Sequence, residues 1–282
     1  MFGVLLALMA VPAAADAAGR QYYVSLGDSY AAGYQPGRGS TLNGFVYHVP
    51  AIAGLRGYRL QVVNFGCSGA TTQSLLSQID CPANGLGPGA AGYPGLTQLQ
   101  AATKFIRAHR SRVALITVSI GGNDVTACAN PASSPTCTAD AMVGVRSRLR
   151  TIAGSLRSAA GSRPKLVGTT YPDVLLGAWV NPGGEVWREA ARKSVVSFRT
   201  EINPGLRGAY ASARGALVDV TAKTGAYGRL DRFSTLAPWG TIPKPVAEIC
   251  RLGFFCQEND IHLTRAGYKV IAQMVAARLP AR

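Results

Sequence analysis

Residues 113–124 read VALITVSIGGND. The run from Val113 to Ile120 is almost wholly apolar and rich in β-branched residues, and it stops at paired glycines followed by Asn123 and Asp124. A short run without polar alternation reads as a strand covered on both faces, as in a parallel sheet, and the glycines end it in a turn. Four further runs look alike: 22–27 (YYVSLG), 60–65 (LQVVNF), 165–171 (KLVGTTY) and 216–220 (ALVDV). Helical patterns fall between and after them, at about 97–109, 140–160, 184–213 and 264–279. Strands alternating with helices predict a doubly wound α/β domain. Stretches 80–96, 126–138 and 221–259 read as long loops.

Composition fits one such domain. The chain has 282 residues, 48% hydrophobic and only 15% charged, which is enough apolar material for a full core and too little charge for a disordered chain. No collagen period, heptad or solenoid repeat is visible. Apart from the N-terminus, no apolar run approaches the ~18 residues of a membrane span. The formal net charge is +15, from 29 basic and 14 acidic residues. The basic residues are mostly arginine. Clusters such as Arg107/Arg110/Arg112 and Arg146/Arg148/Arg150 lack interleaved aromatics, so they read as solvated surface rather than a nucleic-acid site, with weak attraction to an anionic wall or membrane left open.

Residues 2–12 (FGVLLALMAVP) have the length of a signal-peptide core, and Ala15-Asp16-Ala17 resembles a cleavage site, although a basic leading segment is missing. The expected organisation is a signal peptide at 1–18 and one domain at 19–282, secreted or attached to the cell envelope. Six cysteines agree with export. They fall as close pairs, and sequential pairing, Cys67–Cys81, Cys128–Cys137 and Cys250–Cys256, is expected because each pair closes a short loop. None has zinc-site spacing and histidine is scarce, so no metal or other cofactor is expected.

Ligands of open α/β sheets bind at the carboxyl ends of the strands. Here those ends carry Gly27-Asp28-Ser29-Tyr30, then Asn64 through Thr72 (NFGCSGATT), then Gly121-Gly122-Asn123-Asp124. Asp260-Ile261-His262-Leu263-Thr264 stands just before the last helix. A Ser, a Gly, an Asn and a His can thus meet at one sheet edge. Acyl transfer needs those types: a nucleophile, a base and donors for the oxyanion.

With these blocks in order, the chain resembles the SGNH hydrolases, the GDSL family of esterases and lipases, and specifically their secreted bacterial lipase-like branch. The resemblance spans Gly27 to Tyr268. It implies a flavodoxin-like three-layer α/β/α fold, Ser29 as nucleophile, His262 as base, and an oxyanion hole made by the Ser29 N–H, Gly69 and Asn123. Physical chemistry agrees. Ser29 follows a strand and precedes a helix, which leaves its N–H unpaired; Gly69 has no Cβ to block approach of its N–H; Asn123 is a neutral donor. The other histidines, His48 and His109, have no partner motif.

Two departures stand out. The family's final block is Asp-x-x-His, but Asn259 occupies the position three before His262, and the acid, Asp260, lies two before it. Spacing favours a Ser29–His262 dyad oriented by Asn259, with the Asp260 side chain pointing away; Asp260 as the triad acid is the alternative. Tyr30 replaces the family's Leu and reads as pocket lining. Aromatics of the 221–259 stretch (Tyr227, Phe233, Trp239, Phe254, Phe255) suggest an apolar wall for an acyl chain or simple packing of the loop. The expected function is a secreted serine esterase or lipase acting as a monomer on a small-molecule or lipid ester, without a nucleic-acid partner. A carbohydrate O-acetyl esterase and a non-catalytic binding protein on the same scaffold are the alternatives.

Overall fold

The computed structural model describes residues 19–130 and 132–282, so the expected signal peptide lies outside the described residues. The five anticipated strands are present: β1 (Gln21–Gly27), β2 (Leu60–Asn64), β3 (Val113–Ser119), β4 (Lys165–Thr169) and β5 (Ala216–Val218). They form one parallel sheet in the order β2-β1-β3-β4-β5. This is the flavodoxin-like doubly wound order, whose switch point falls between β1 and β3.

The main helices are α1 (Phe45–Gly54), α2 (Thr72–Ser77), α3 (Gln98–Ala108), α4 (Cys137–Ala160), α5 (Glu185–Ser197), α6 (Asn203–Ser212), α7 (Lys244–Leu252) and α8 (Arg265–Ala276). Helices α1 and α8 pack together on one face of the sheet, while α4 packs between α3 and α6 on the other. Both faces are therefore covered, and Val24, Leu26, Leu115, Ile116 and Val118 are fully buried between the layers. That explains why β3 reads as an unbroken apolar run.

Local chemistry sets several boundaries. Thr97 caps α3 and Thr71 caps α2, each through its hydroxyl, and in each the third helical residue reaches back in a reciprocal capping box. The pattern at 184–213 is two helices rather than one. Pro204 sits in the first turn of α6, and a π-turn at Phe198–Ile202 joins α5 to it. Proline has no N–H to give the preceding turn, so the ladder widens there. The 221–259 stretch is not a long loop. It holds an antiparallel hairpin (Phe233–Leu236 with Gly240–Pro243) and α7, whose start is marked by Pro245. Helix α1 is not evident from sequence, because Pro50 interrupts its pattern. The described residues of the 126–138 stretch open on a 3-10 turn (Thr126–Ala129) and reach α4 at Cys137.

Three disulfides close these segments: Cys67–Cys81, Cys128–Cys137 and Cys250–Cys256, spanning 14, 9 and 6 positions. Each staples a connection on the side of the sheet where the strands end.

Core packing on the far side of the switch point is tight. A Cβ added at Gly168 in β4 comes within 2.1 Å of the Tyr210 ring. Tyr210 is fully buried and donates to the Val118 carbonyl at 3.1 Å. Overpacking of this kind typically costs about 1–3 kcal/mol. Gly168→Ala is therefore expected to lose at least that much stability in urea denaturation, with the slope of the transition unchanged.

Candidate active site

The first strand supplies the centre. Gly27 ends β1 at φ 141°, and a Cβ there lies 2.1 Å from the Ser119 carbonyl oxygen. Only glycine lets β1 and β3 run side by side to this depth. The Gln98 side chain clamps the same residue, accepting from the Gly27 N–H at 2.7 Å and donating to its carbonyl at 3.0 Å. The chain then turns into the one-turn helix Ser29–Ala32. Asp28 caps it by accepting from the Tyr30 N–H, so the cap belongs to Asp28 and leaves the Ser29 hydroxyl uncommitted.

Ser29 Oγ lies 2.7 Å from His262 Nε2. On the other side of the ring, His262 Nδ1 lies 2.7 Å from Asp260 Oδ1, which also accepts from the His262 backbone N–H at 2.8 Å. This corrects the expectation that Asp260 points away and Asn259 orients the imidazole. Asn259 adopts the left-handed conformation (φ 53°) and ends the one-turn helix Phe255–Glu258. The chain leaves that turn so that the next carboxylate folds forward over its own i+2 N–H, an Asx turn that also reaches the ring. Asn259 lines the adjoining cavity instead.

The histidine loop is fixed from several sides. Tyr30 donates from its hydroxyl to the Ile261 carbonyl at 2.6 Å, so it is more than pocket lining. Gln35 donates to the Leu263 carbonyl at 3.0 Å, and the Tyr34 ring lies 4.5 Å from the imidazole. Burial holds the His262 pKa below its ordinary 6.5, and Asp260 opposes that shift by favouring the imidazolium. The ring is thus neutral at pH 7 and able to take a proton from Ser29. His48 lies on α1, and His109 stacks on Phe105 just after α3; neither hydrogen-bonds to Ser29.

Three N–H groups face the requirement for an oxyanion. Among the described residues, no acceptor takes the Ser29 or the Gly69 backbone N–H. Gly69 has φ 83°, and a Cβ there meets nothing within 4 Å. The glycine is needed for its backbone conformation, not for clearance. Asn123 donates one Nδ2 hydrogen to the Ala70 carbonyl at 2.8 Å, which leaves the second for a ligand. Gly122 beside it carries the Tyr171 ring 3.0 Å from where a Cβ would lie.

Residues not singled out in the sequence tie these blocks together. Asp124 accepts from the Thr72 N–H (2.8 Å), the Thr72 hydroxyl (2.5 Å) and Arg148 (3.1 Å), joining the Asn123 block to the Gly69 block. Asn64 donates to the Ala31 carbonyl and accepts from the Gly66 N–H, both at 2.9 Å. Tyr171 donates to Asp28, whose pKa burial pushes up to about 7. The one signal open to a reader of the sequence was Asn64, a polar residue closing an otherwise apolar strand.

A cavity of about 1100 Å³ opens from Ser29. Its walls are largely apolar and include Val125, Val174, Leu175, Ala178, Phe198 and Leu206. Of the aromatics expected to form this wall only Phe255 does so; Tyr227, Phe233, Trp239 and Phe254 do not line it. Tyr227 instead bonds to Asn203, and Phe233 faces solvent on the hairpin.

Comparison with known proteins gives the family and the fold. The profile of the GDSL-like Lipase/Acylhydrolase family matches residues 25–270, so the chain belongs to that family and is a carboxylic ester hydrolase. Its fold is similar to a lipase from a goat rumen metagenome (14% identity, TM-score 0.54, covering 93% of this chain and 99% of that one). It is also similar to phospholipase A1 from Streptomyces albidoflavus NA297 (18%, 0.53, 92% and 99%) and to the extracellular lipase of Streptomyces rimosus (20%, 0.51, 92% and 99%). A search of curated protein sequences returned no significant match.

Beside the cavity, Asp173 is fully buried. It accepts from the Ser194 hydroxyl at 2.9 Å, while its Oδ1 has no partner among the described residues. Burial pushes its pKa up to about 7. A carboxyl whose folded pKa exceeds its unfolded value favours the folded state when protonated, and that contribution fades as pH rises from about 4 to about 7. Asp173→Asn keeps the shape and removes the charge. The variant is expected to gain stability relative to wild type at pH 8, with the gain shrinking at pH 4.5, as read from urea midpoints at the two values.

Proposed function

We propose that this protein is an exported serine hydrolase of esters with medium or long acyl chains. Ser29 is the nucleophile, His262 the general base and Asp260 the acid of the triad. The observation that carries the reading is the continuous hydrogen-bonded chain from Ser29 through His262 to Asp260 at the rim of a large apolar cavity.

In the reaction, Ser29 Oγ attacks the ester carbonyl carbon as His262 Nε2 takes its proton. The carbonyl oxygen becomes an oxyanion and is met by the Ser29 and Gly69 N–H groups and the second hydrogen of the Asn123 amide. His262 then returns the proton to the leaving alkoxide. A water molecule then attacks the acyl carbon as His262 Nε2 takes its proton; the acyl–Oγ bond breaks, the ring returns that proton to Ser29 Oγ, and the carboxylic acid leaves. Asp260 holds the Nδ1–H tautomer and stabilises the transient imidazolium. Ser68 is no substitute nucleophile, because its buried hydroxyl has no hydrogen-bond partner among the described residues. The cavity supports an acyl chain over an acetyl group, which needs little of that volume. Export is supported by the segment at 2–12 and by the three disulfides.

Ser29→Ala is expected to remain folded and to reduce hydrolysis of p-nitrophenyl esters to near background, and a serine-directed phosphonate should label wild type at Ser29 only. Substantial turnover by the folded variant places the nucleophile elsewhere.

Asp260→Asn is expected to lower kcat/KM by up to ~10^4 at neutral pH. Because activity needs neutral His262, the acid limb in wild type should have its midpoint below 6.5. Removing Asp260 withdraws the charge that raises the imidazole pKa, so the residual activity should show that limb at still lower pH. A loss of only about tenfold returns the role to Asn259 or the main chain.

Ala178→Trp narrows the cavity. It is expected to shift preference in an acyl-chain series toward shorter esters, raising KM for p-nitrophenyl laurate while p-nitrophenyl acetate changes little.

A further inference from the structure

The proposed oxyanion donors come from three different strand ends: the Ser29 N–H after β1, the Gly69 N–H after β2 and the Asn123 amide after β3. Their spacing therefore rests on links between those ends. Asn64 makes one link, holding the turn after Ser29 to the loop before Gly69 through the Ala31 carbonyl and the Gly66 N–H. Asp124 and Asn123 make a second, binding their own segment to the Gly69 loop through Thr72 and the Ala70 carbonyl. The third side, from Ser29 to Asn123, is not set by the sheet. Backbone pairing of β1 with β3 goes no further than the Asp28 N–H on the Ser119 carbonyl, at 3.0 Å. Beyond it the chain reaches Asn123 through Gly121, at φ 112°, and Gly122, two residues that impose little conformation of their own.

Tyr171, two residues beyond β4, spans that third side. Its hydroxyl donates to one carboxylate oxygen of Asp28, and the other accepts from the Tyr30 N–H at 3.0 Å to cap the Ser29 turn. Its ring lies on the Gly122 backbone, which only the missing Cβ allows, since a Cβ there would lie 3.0 Å from the ring. One stiff side chain thus touches the residue before Ser29 and the residue before Asn123. Its own backbone is anchored to the end of β5. The Thr221 hydroxyl donates to the Tyr171 carbonyl at 2.6 Å, and the neighbouring Thr170 hydroxyl accepts from the Val220 N–H at 2.7 Å. Packing alone does not call for the phenol. Phenylalanine would fill the same space, but it would take a donor from a carboxyl that is only 1% exposed.

We propose that Tyr171 is a positioning residue for ester hydrolysis: it holds the Ser29 N–H and the Asn123 amide at the separation that suits a tetrahedral oxyanion. It acts through Asp28 and Gly122 rather than on the ester itself. This role rests on Ser29 being the nucleophile of an ester hydrolase. Donors aimed at the oxyanion bind the transition state more strongly than the planar ester, so a small displacement falls on kcat and spares KM.

Two variants separate the two contacts. Tyr171→Phe keeps the ring on Gly122 and removes the hydroxyl; Gly122→Ala keeps the hydroxyl and wedges the ring away from the backbone. With p-nitrophenyl butyrate, each is expected to lower kcat by about tenfold or more with KM within about twofold of wild type. The inhibition constant of a decyl trifluoromethyl ketone, which adds to serine as a tetrahedral oxyanion, should rise by the factor that kcat falls. Asp28→Asn is the rescue: its amide oxygen still accepts from the Tyr30 N–H and its NH2 can donate to the phenol oxygen, so roughly a third of kcat or more should remain. Nitrogen-15 NMR reads the placement without turnover. The Ser29 N–H and Asn123 side-chain signals should shift in Tyr171→Phe and Gly122→Ala while circular dichroism stays native. A merely structural role would lower the urea midpoint and leave kcat of the folded variants, the ketone affinity and these signals unchanged, and that result overturns the proposal. A rise in KM that accounts for the whole loss in kcat/KM overturns it too. So does a loss in Asp28→Asn equal to that in Tyr171→Phe, which traces the effect to the carboxylate charge. Turnover retained by Ser29→Ala instead overturns the nucleophile, and the NMR signals still decide whether Tyr171 sets the spacing of the donors.

Discussion

The hydrogen bond between Ser29 and His262 joins residues 233 positions apart in the chain. A contact of that separation holds its length only if both ends are fixed independently, because two floating loops would spend most of their time apart. The Ser29 end is fixed by the close approach of β1 to β3, which glycine at 27 permits and Gln98 locks. The His262 end hangs on the Asp260 turn below the ring and on Tyr30 and Gln35, which grip the Ile261 and Leu263 carbonyls. Tyr30 and Gln35 come from the segment that carries Ser29. The serine block therefore helps to place the histidine that Ser29 meets, and displacing one disturbs the other.

The proposed oxyanion donors follow the same rule. Gly69 and Asn123 come from different strand ends, and they are brought into register by Asp124, which spans the gap to Thr72 and takes Arg148 from α4. A half-satisfied carboxylate in that position would be costly to bury; with its three partners it becomes a rivet. The sheet provides the edge on which these groups meet, and buried polar contacts set the spacing between them.

How much of the molecule is legible in its sequence follows from the range of the interactions. The strands are legible because burial on both faces leaves its mark within each short segment. Ser29, Gly69, Asn123 and His262 are legible because each sits in a local motif at a strand end or before a helix. The partner of His262 is misjudged from spacing alone, because i−3 spacing takes no account of the left-handed turn at Asn259, and that turn decides where Asp260 points. Tyr171, Gln98 and Arg148 leave no local trace; their partners lie 143, 71 and 24 or more positions away. The apolar wall is misplaced for a related reason. Aromatic density marks packing of any kind, and in the 221–259 stretch it mostly packs a hairpin and a helix against the body.

The three disulfides bear on how the chain is made. Each joins cysteines of one connection, none more than 14 positions apart, and none crosses the sheet. The Cys67–Cys81 and Cys128–Cys137 bridges can therefore close as soon as their own short segments meet an oxidant, before Cys250 and Cys256 arrive to offer wrong partners. A polypeptide built this way needs an oxidant during biogenesis but little reshuffling, because correct pairing is a matter of neighbourhood. The long-range work of bringing Ser29 to His262 is left to packing, which can be undone and retried without breaking a covalent bond.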